Sequence, residues 1–222
     1  MTKIVVLLAA GVVSVSLHAA NDAVRRLETS AIVLDEIMAA PDKGIPQDLF
    51  NKSACVVIVP GLKKGAFIVG GKFGKGFIEC RKEGGAWSAP AAIRVEGGSV
   101  GFQIGGSETD VVLLVMNQRG MDKLLSSKFT IGADAAAAAG PVGRTSTAET
   151  DAQMHAEILS WSRARGIFAG ISLEGATLRP DDDSNRDLYG RPLTNKEIVT
   201  GEVTPPPAAS KLIEDLSKYS GK

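Results

Sequence analysis

Ala54-Cys55-Val56-Val57-Ile58-Val59, halted at Pro60-Gly61 and echoed downstream by Lys75-Gly76-Phe77-Ile78-Glu79-Cys80-Arg81, decides the fold. The first run is β-branched, of strand length, and closed by a turn dipeptide, which is the pattern of a buried strand. Working outward, Ala66 to Lys72 and Lys75 to Arg81 predict two further strands around Gly74, and Gly84-Gly85 predicts a turn. Ala92 to Glu96, Ser99 to Ile104 and Asp110 to Met116 continue the pattern, with Gly97-Gly98 and Gly105-Gly106 between them as turns. Short strands at this spacing predict an α+β, mainly β fold, a Gly-rich antiparallel barrel or sandwich.

Helical periodicity appears on either side of this sheet. Val24, Leu27, Ala31, Leu34 and Met38 recur every three or four residues, so Asp22 to Ala40 reads as an amphipathic helix. A short helix is expected over Gln47 to Lys52, with Leu49 and Phe50 inward, and another from Asn117 to Ser126. Ala135 to Ala139 has helical propensity, yet Gly132 and Gly140-Pro141 confine it to too few residues. It is read as an extended segment packed against a neighbour. Met154 to Arg163 and Ile167 to Leu178 are expected to form a final hairpin around Arg165-Gly166. Asp181-Asp182-Asp183 opens a helix to Tyr189, where negative charge suits the positive helix end. Pro205-Pro206-Pro207 marks a linker before a C-terminal amphipathic helix, Ser210 to Tyr219.

The N-terminus has Lys3, an apolar stretch from Ile4 to Leu17, and the small-residue end Ala19-Ala20. That is the layout of a secretory signal. With about 17 residues between Lys3 and Asn21 it lies at the lower limit for a span, so an uncleaved anchor is the competing reading. No cysteine follows closely, which argues against a lipoprotein. The expected organisation is a signal peptide over 1–20, one domain over 21–200, and the linker and helix over 201–222, in an exported, periplasmic protein.

Composition narrows the function. Lys plus Arg and Asp plus Glu are equal at 25 each, and aromatics are 5% of the chain, so neither charge nor stacking platforms favour nucleic acid. Only His18 and His155 exist, and His18 falls in the leader. A Ser-His-Asp arrangement has to use His155, which a strand of this kind more often carries for structure. One histidine and two cysteines lack zinc-ligand spacing, and the Asp181–Asp183 run lacks the spaced ligands of a calcium loop. Gly70-Gly71-Lys72-Phe73-Gly74-Lys75-Gly76 departs from the phosphate-loop pattern and precedes no helix. No catalytic residue, metal or cofactor is assigned.

Cys55 and Cys80 are read as small buried apolar residues on neighbouring strands in preference to a pair, which would close a loop worth about 3 kcal/mol on the chain-entropy model. Lys52, Lys63, Lys64, Lys72, Lys75, Arg81 and Lys82 face a single acid, Glu79, across residues 52–82. Each is worth about 1 kcal/mol near an anionic membrane. Lys63, Lys64, Lys72, Lys75, Arg81 and Lys82 are therefore candidate lipid-headgroup residues, with a solvated strand face as the alternative. Glu174, inside an apolar run, either pairs with Arg144, Arg163 or Arg165 or faces solvent.

Longer motifs add a resemblance. Gly61-x-x-Lys64-Gly65-x-Phe67-x-x-Gly70-Gly71, Gly85-x-Trp87-Ser88-x-Pro90 and Gly97-Gly98-Ser99-x-Gly101-x-Gln103-x-Gly105 resemble the first half of the SYLF domain, the Las-seventeen-binding, actin-regulator-like family. Ala139-Gly140-Pro141-x-Gly143-Arg144, Gly166-x-Phe168-Ala169-Gly170-x-Ser172-Leu173-Glu174-Gly175 and Asn185 with Tyr189-Gly190 resemble the second. The likeness runs from about Leu27 to Val199. It implies a non-enzymatic, lipid-binding domain, phosphoinositide-binding and actin-regulating in eukaryotic members. An exported chain meets no actin, so the expected partner is an anionic lipid or membrane surface. An envelope module that binds another protein is the second expectation.

Overall fold

The computed structural model describes residues 5–40, 44–66, 69–100, 105–141, 155–164, 167–170 and 173–221. Its centre is an antiparallel hairpin, β1 (Cys55–Ala66) and β2 (Val69–Cys80). β3 (Ala91–Val100) pairs with β2 on one side and β4 (Gly105–Val115) with β1 on the other. The strands are longer than the sequence suggests, because glycines expected to make turns lie inside them. A Cβ on Gly74 would come within 2.8 Å of Leu62 and Val59 side-chain atoms, and one on Gly76 within 2.0 Å of the Ile58 carbonyl oxygen. Here glycine permits close approach within the sheet. Pro60-Gly61 likewise does not end β1. It forms a bulge where pairing shifts between Val59 and Leu62. Gly61 takes the left-handed φ of 59° and donates its N–H to Asp110 Oδ1 at 2.9 Å.

Five short strands complete the sheet: β5 (Phe129–Thr130), β6 (Ala137–Ala139), β7 (Ile158–Ala164), β8 (Ile167–Gly170) and β9 (Thr177–Pro180). The order is β5-β9-β3-β2-β1-β4-β7-β6, with β8 also on β7. β5 and β6 lie at opposite ends of that order, yet only residues 131–136 separate them. A flat eight-strand path is roughly 34 Å wide, whereas that connection reaches at most roughly 25 Å. The sheet therefore curls into a half-barrel.

Two cores follow from the curl. The inner face carries Val57, Leu62, Ile78, Ile93, Val95 and Leu113, closed by Met121 and Leu124 of α3 (Gln118–Leu124) and by Ile198 and Val199 of α5 (Asn195–Thr200). The outer face carries Val56, Ile58, Phe77, Val112, Leu114 and Trp161. It is covered by α1 (Val5–Ala39), α2 (Gln47–Lys52) and α6 (Ser210–Tyr219), through Leu27, Leu34, Phe50, Leu212 and Leu216. α1 runs on through the boundary expected at Ala20. Among the described residues no helix is long and apolar enough to cross a membrane. α6 packs on α1, with Lys218 3.2 Å and the Tyr219 hydroxyl 2.5 Å from Asp35, while Trp87 Nε1–H donates to Ser220 Oγ at 2.8 Å.

The alanine run is extended, as expected, pairing in parallel with β7 (Ala137 opposite Ile158). The single strand expected from Ile167 to Leu178 is instead two. β8 stays on β7, and the chain turns at Glu174-Gly175 to place β9 against β3. Gly175, at φ 76°, donates its N–H to the Ile131 carbonyl, which fixes that turn. Glu174 thus lies exposed on a turn, and the Arg144 and Arg165 considered as its partners lie outside the described residues, as does the Arg165-Gly166 turn. Cys55 and Cys80 face each other across β1 and β2 with Cα atoms 3.9 Å apart and are joined by a disulfide.

Candidate anion-binding site

Strand parity sorts the six candidate cations. Paired residues in an antiparallel ladder share a face, and consecutive residues take opposite faces. Lys64 lies directly opposite Lys72, on the inner face of the sheet. Lys63 lies opposite Phe73, on the outer face, so it projects away from its own neighbour. Lys75 shares the outer face but is committed to Asp181, 2.7 Å away and buried at the head of α4 (Asp182–Tyr189). Burial alone raises the Asp181 carboxyl; hydrogen bonds from Lys75 and Ser184 outweigh it and hold the group below the usual range. Asp182 and Asp183 of the acidic run, by contrast, are exposed.

Arg81 and Lys82 belong to the opposite end of the sheet and serve the fold. The Arg81 guanidinium lies 4.4 Å from the Trp87 ring centroid, with Nε–H donating to the Ser53 carbonyl at 3.0 Å. Lys82 donates to the Gly201 carbonyl at 2.8 Å. The six cations therefore do not form one patch. Lys63, Lys64 and Lys72 alone remain together, around one end of the sheet.

That end begins at a sharp boundary. Thr109, Leu62, Gly74 and Val95 form a row across four strands, all buried. In the next rows Lys63, Phe73 and Glu108 are exposed, and Lys64 and Lys72 are half-buried. Beyond them Gly106, Gly65, Gly71 and Gly98 stand in register, one on each of four strands. A Cβ on Gly98 would meet nothing within 4 Å, and one on Gly71 only a carbonyl oxygen at 3.9 Å. Past the lysines the register places a row of four glycines.

The electrostatics of the pair are unfavourable as they stand. Like charges directly opposite across a ladder repel. Burial, and then the charge of Lys72, lower the Lys64 ammonium from its ordinary value. Among the described residues neither lysine makes an ion pair, whereas Glu96 nearby is already held by Arg94 at 3.0 Å and Arg179 at 3.6 Å. An anion placed between the two ammoniums relieves the repulsion.

A cleft of about 700 Å³ lies between α1 and the bulge, lined by Thr29, Glu36, Gly61, Glu108, Asp110 and Arg163. Arg163 pairs with Glu36 and, at 2.7 Å, with Asp110. Three carboxylates against one paired guanidinium make this a poor receptor for an anion. His155 is exposed on the turn before β7. Among the described residues no cluster of His, Cys, Asp and Glu is arranged to hold a metal.

The motif residues meanwhile prove to be structural parts whose partners the sequence does not show. Asn185 Oδ1 accepts the Ala92 N–H at 2.8 Å, its Nδ2 donates to Asn195 Oδ1 at 2.7 Å, and Asn195 Nδ2 donates to the Ala92 carbonyl at 3.1 Å. Together they clip α4 and α5 to β3. Tyr189 donates to the Pro90 carbonyl at 2.6 Å, and Gly190 ends α4 at φ 68°. Gly140 lies flat under the Trp161 ring, where a Cβ would come within 2.1 Å.

Fold and site together define a helix-backed half-barrel with a cross-strand lysine pair near one end of its sheet. The chain belongs to the Ysc84 family, described as Las17-binding protein actin regulator, whose sequence model matches residues 96–219. It is 34% identical over 178 residues to LAS seventeen-binding protein 3 of Saccharomyces cerevisiae, covering 79% of this chain and 39% of that protein. It is 34% identical over 184 residues to SH3 domain-containing YSC84-like protein 1 of Xenopus laevis, covering 82% and 55%. The relative of that name in Bos taurus is 32% identical over 183 residues, covering 82% and 53%. The chain thus spans about two fifths to about half of the length of these relatives, the first of which is named as a binding protein.

Proposed function

We propose that the chain is an exported, non-catalytic domain of the cell envelope that binds anionic lipid surfaces through the bare end of its sheet. The observation that carries this reading is the Lys64–Lys72 pair: two adjacent cations at the limit of packing, without an ion pair among the described residues. Lys63, on the other face, stands opposite Glu108, so the unpaired positive charge of this end rests on Lys64 and Lys72. The basic, apolar, small-residue order of residues 1–20 supports export, and the Cys55–Cys80 disulfide supports an oxidising compartment. Co-sedimentation with phosphatidylglycerol-rich vesicles over a salt series tests the lipid reading. Binding falls as salt rises, and Lys64→Ala or Lys72→Ala each weakens it about fivefold, the worth of one cation at an anionic surface. Equal binding to purely zwitterionic vesicles, or indifference to salt, counts against it. The relatives named for binding another protein favour a second reading, a protein partner at the same sheet end. Capture of a defined envelope protein by a chain that ignores vesicles supports that alternative.

A further inference from the structure

We infer that the sheet end beyond the lysines dips shallowly into the bilayer, so that Lys63, Lys64 and Lys72 form a collar at headgroup level. This rests on the lipid reading and specifies how the surface is engaged. Among the described strand positions beyond the collar, 65–66, 69–71, 97–100 and 105–107, none is charged. The register brings all of these strand ends to one side: Ala66 pairs with Gly70 and Gly105, and Val69 pairs with Val100. Elsewhere on these strands charges stand at the surface; here they cease together on four strands. Phe73 is 52% exposed at collar level, a large aromatic side chain beside Lys63 that the fold itself does not bury. An exposed apolar ring beside lysines is what elements lying in the membrane interface present to it.

Depth follows from strand geometry. Three residues separate Lys72 from Val69, about 10 Å of strand, at the upper end of the roughly 5–10 Å to which interfacial elements enter. Deeper entry is opposed by the strand edges. β3 pairs with β9 only up to Glu96, and β4 with β7 only from Asp110, so past those points their outer edges have no paired strand among the described residues. Unpaired backbone N–H and C=O groups are not tolerated in hydrocarbon but are hydrated among headgroups. The glycine row keeps the inserted end thin and lets its backbone approach lipid directly.

The test uses the full chain carrying Gly98→Cys labelled with an environment-sensitive fluorophore, on phosphatidylglycerol-rich vesicles. The site is sterically open, and the native cysteines are tied in their disulfide. Phe73→Trp is the second probe, since Trp87 and Trp161 are already buried. Blue-shifted emission at both positions, quenched by shallow and not by deep lipid-borne quenchers, with no change for a label at exposed Glu214→Cys, is the expected result. Vesicle binding with unshifted emission at Gly98→Cys and Phe73→Trp overturns insertion while leaving lysine-driven adhesion intact. Absence of vesicle binding altogether overturns both.

Discussion

Glu79 is fully buried on β2, and neither of its carboxyl oxygens has a hydrogen-bond partner among the described residues. Desolvation pushes its carboxyl up to about 8. The sign of the consequence is fixed by linkage. Between the ordinary carboxylate value of the unfolded chain and about pH 8, the folded protein holds a proton that the unfolded chain has released, so stability falls as pH rises through that window. Glu79→Gln removes the dependence. Its melting temperature exceeds that of the wild type at about pH 8, and the two converge near pH 4, where both forms are protonated. A constant offset across that range refutes the assignment. Gly140 makes the opposite argument, from shape. Gly140→Ala forces a methyl group into the Trp161 ring and costs about 1–3 kcal/mol in denaturant unfolding, as overpacking does. A neutral result there means that Trp161 has freedom to move aside.

At the scale of elements, the strands were legible and their ends were not. The β-branched run at 55–59 and the amphipathic positions from Val24 to Met38 report burial through periodicity alone. Gly74, Gly76, Gly97 and Gly105 have the same letter in a turn as in a strand interior, and only the packing of Leu62 and Ile58 against the first two distinguishes them. The site was partly legible for a similar reason. Strand parity places Lys63 and Lys64 on opposite faces, so a run of lysines in sequence is never one patch. The removal of Lys75 by Asp181 is a contact between residues 106 positions apart that no local pattern announces. The clip made by Asn185 and Asn195 is equally long-range, and it holds two helices to a strand edge. Asn185→Ala orphans the Ala92 N–H and an Asn195 acceptor inside the core, and it lowers unfolding free energy by about 2–4 kcal/mol. Asn185→Ala with unchanged stability means that α4 does not depend on the clip.

For the whole molecule, the division of labour is the point. The closed end, with the disulfide, the Arg81–Trp87 stack and α6 over the outer face, is packed on both sides. The open end keeps four strands in register, with the Lys64–Lys72 pair followed by a row of four glycines. On the proposed reading, the Lys64–Lys72 pair at that limit serves to hold an anionic surface. Hydrogen exchange read peptide by peptide, with and without phosphatidylglycerol-rich vesicles, tests this most directly. The expected result is slowed exchange confined to peptides covering 61–75 and 95–110, with residues 79–92 and 182–219 unchanged. Protection centred on Arg81 and Lys82, or on α1 and α6 with the open sheet end unaffected, contradicts it.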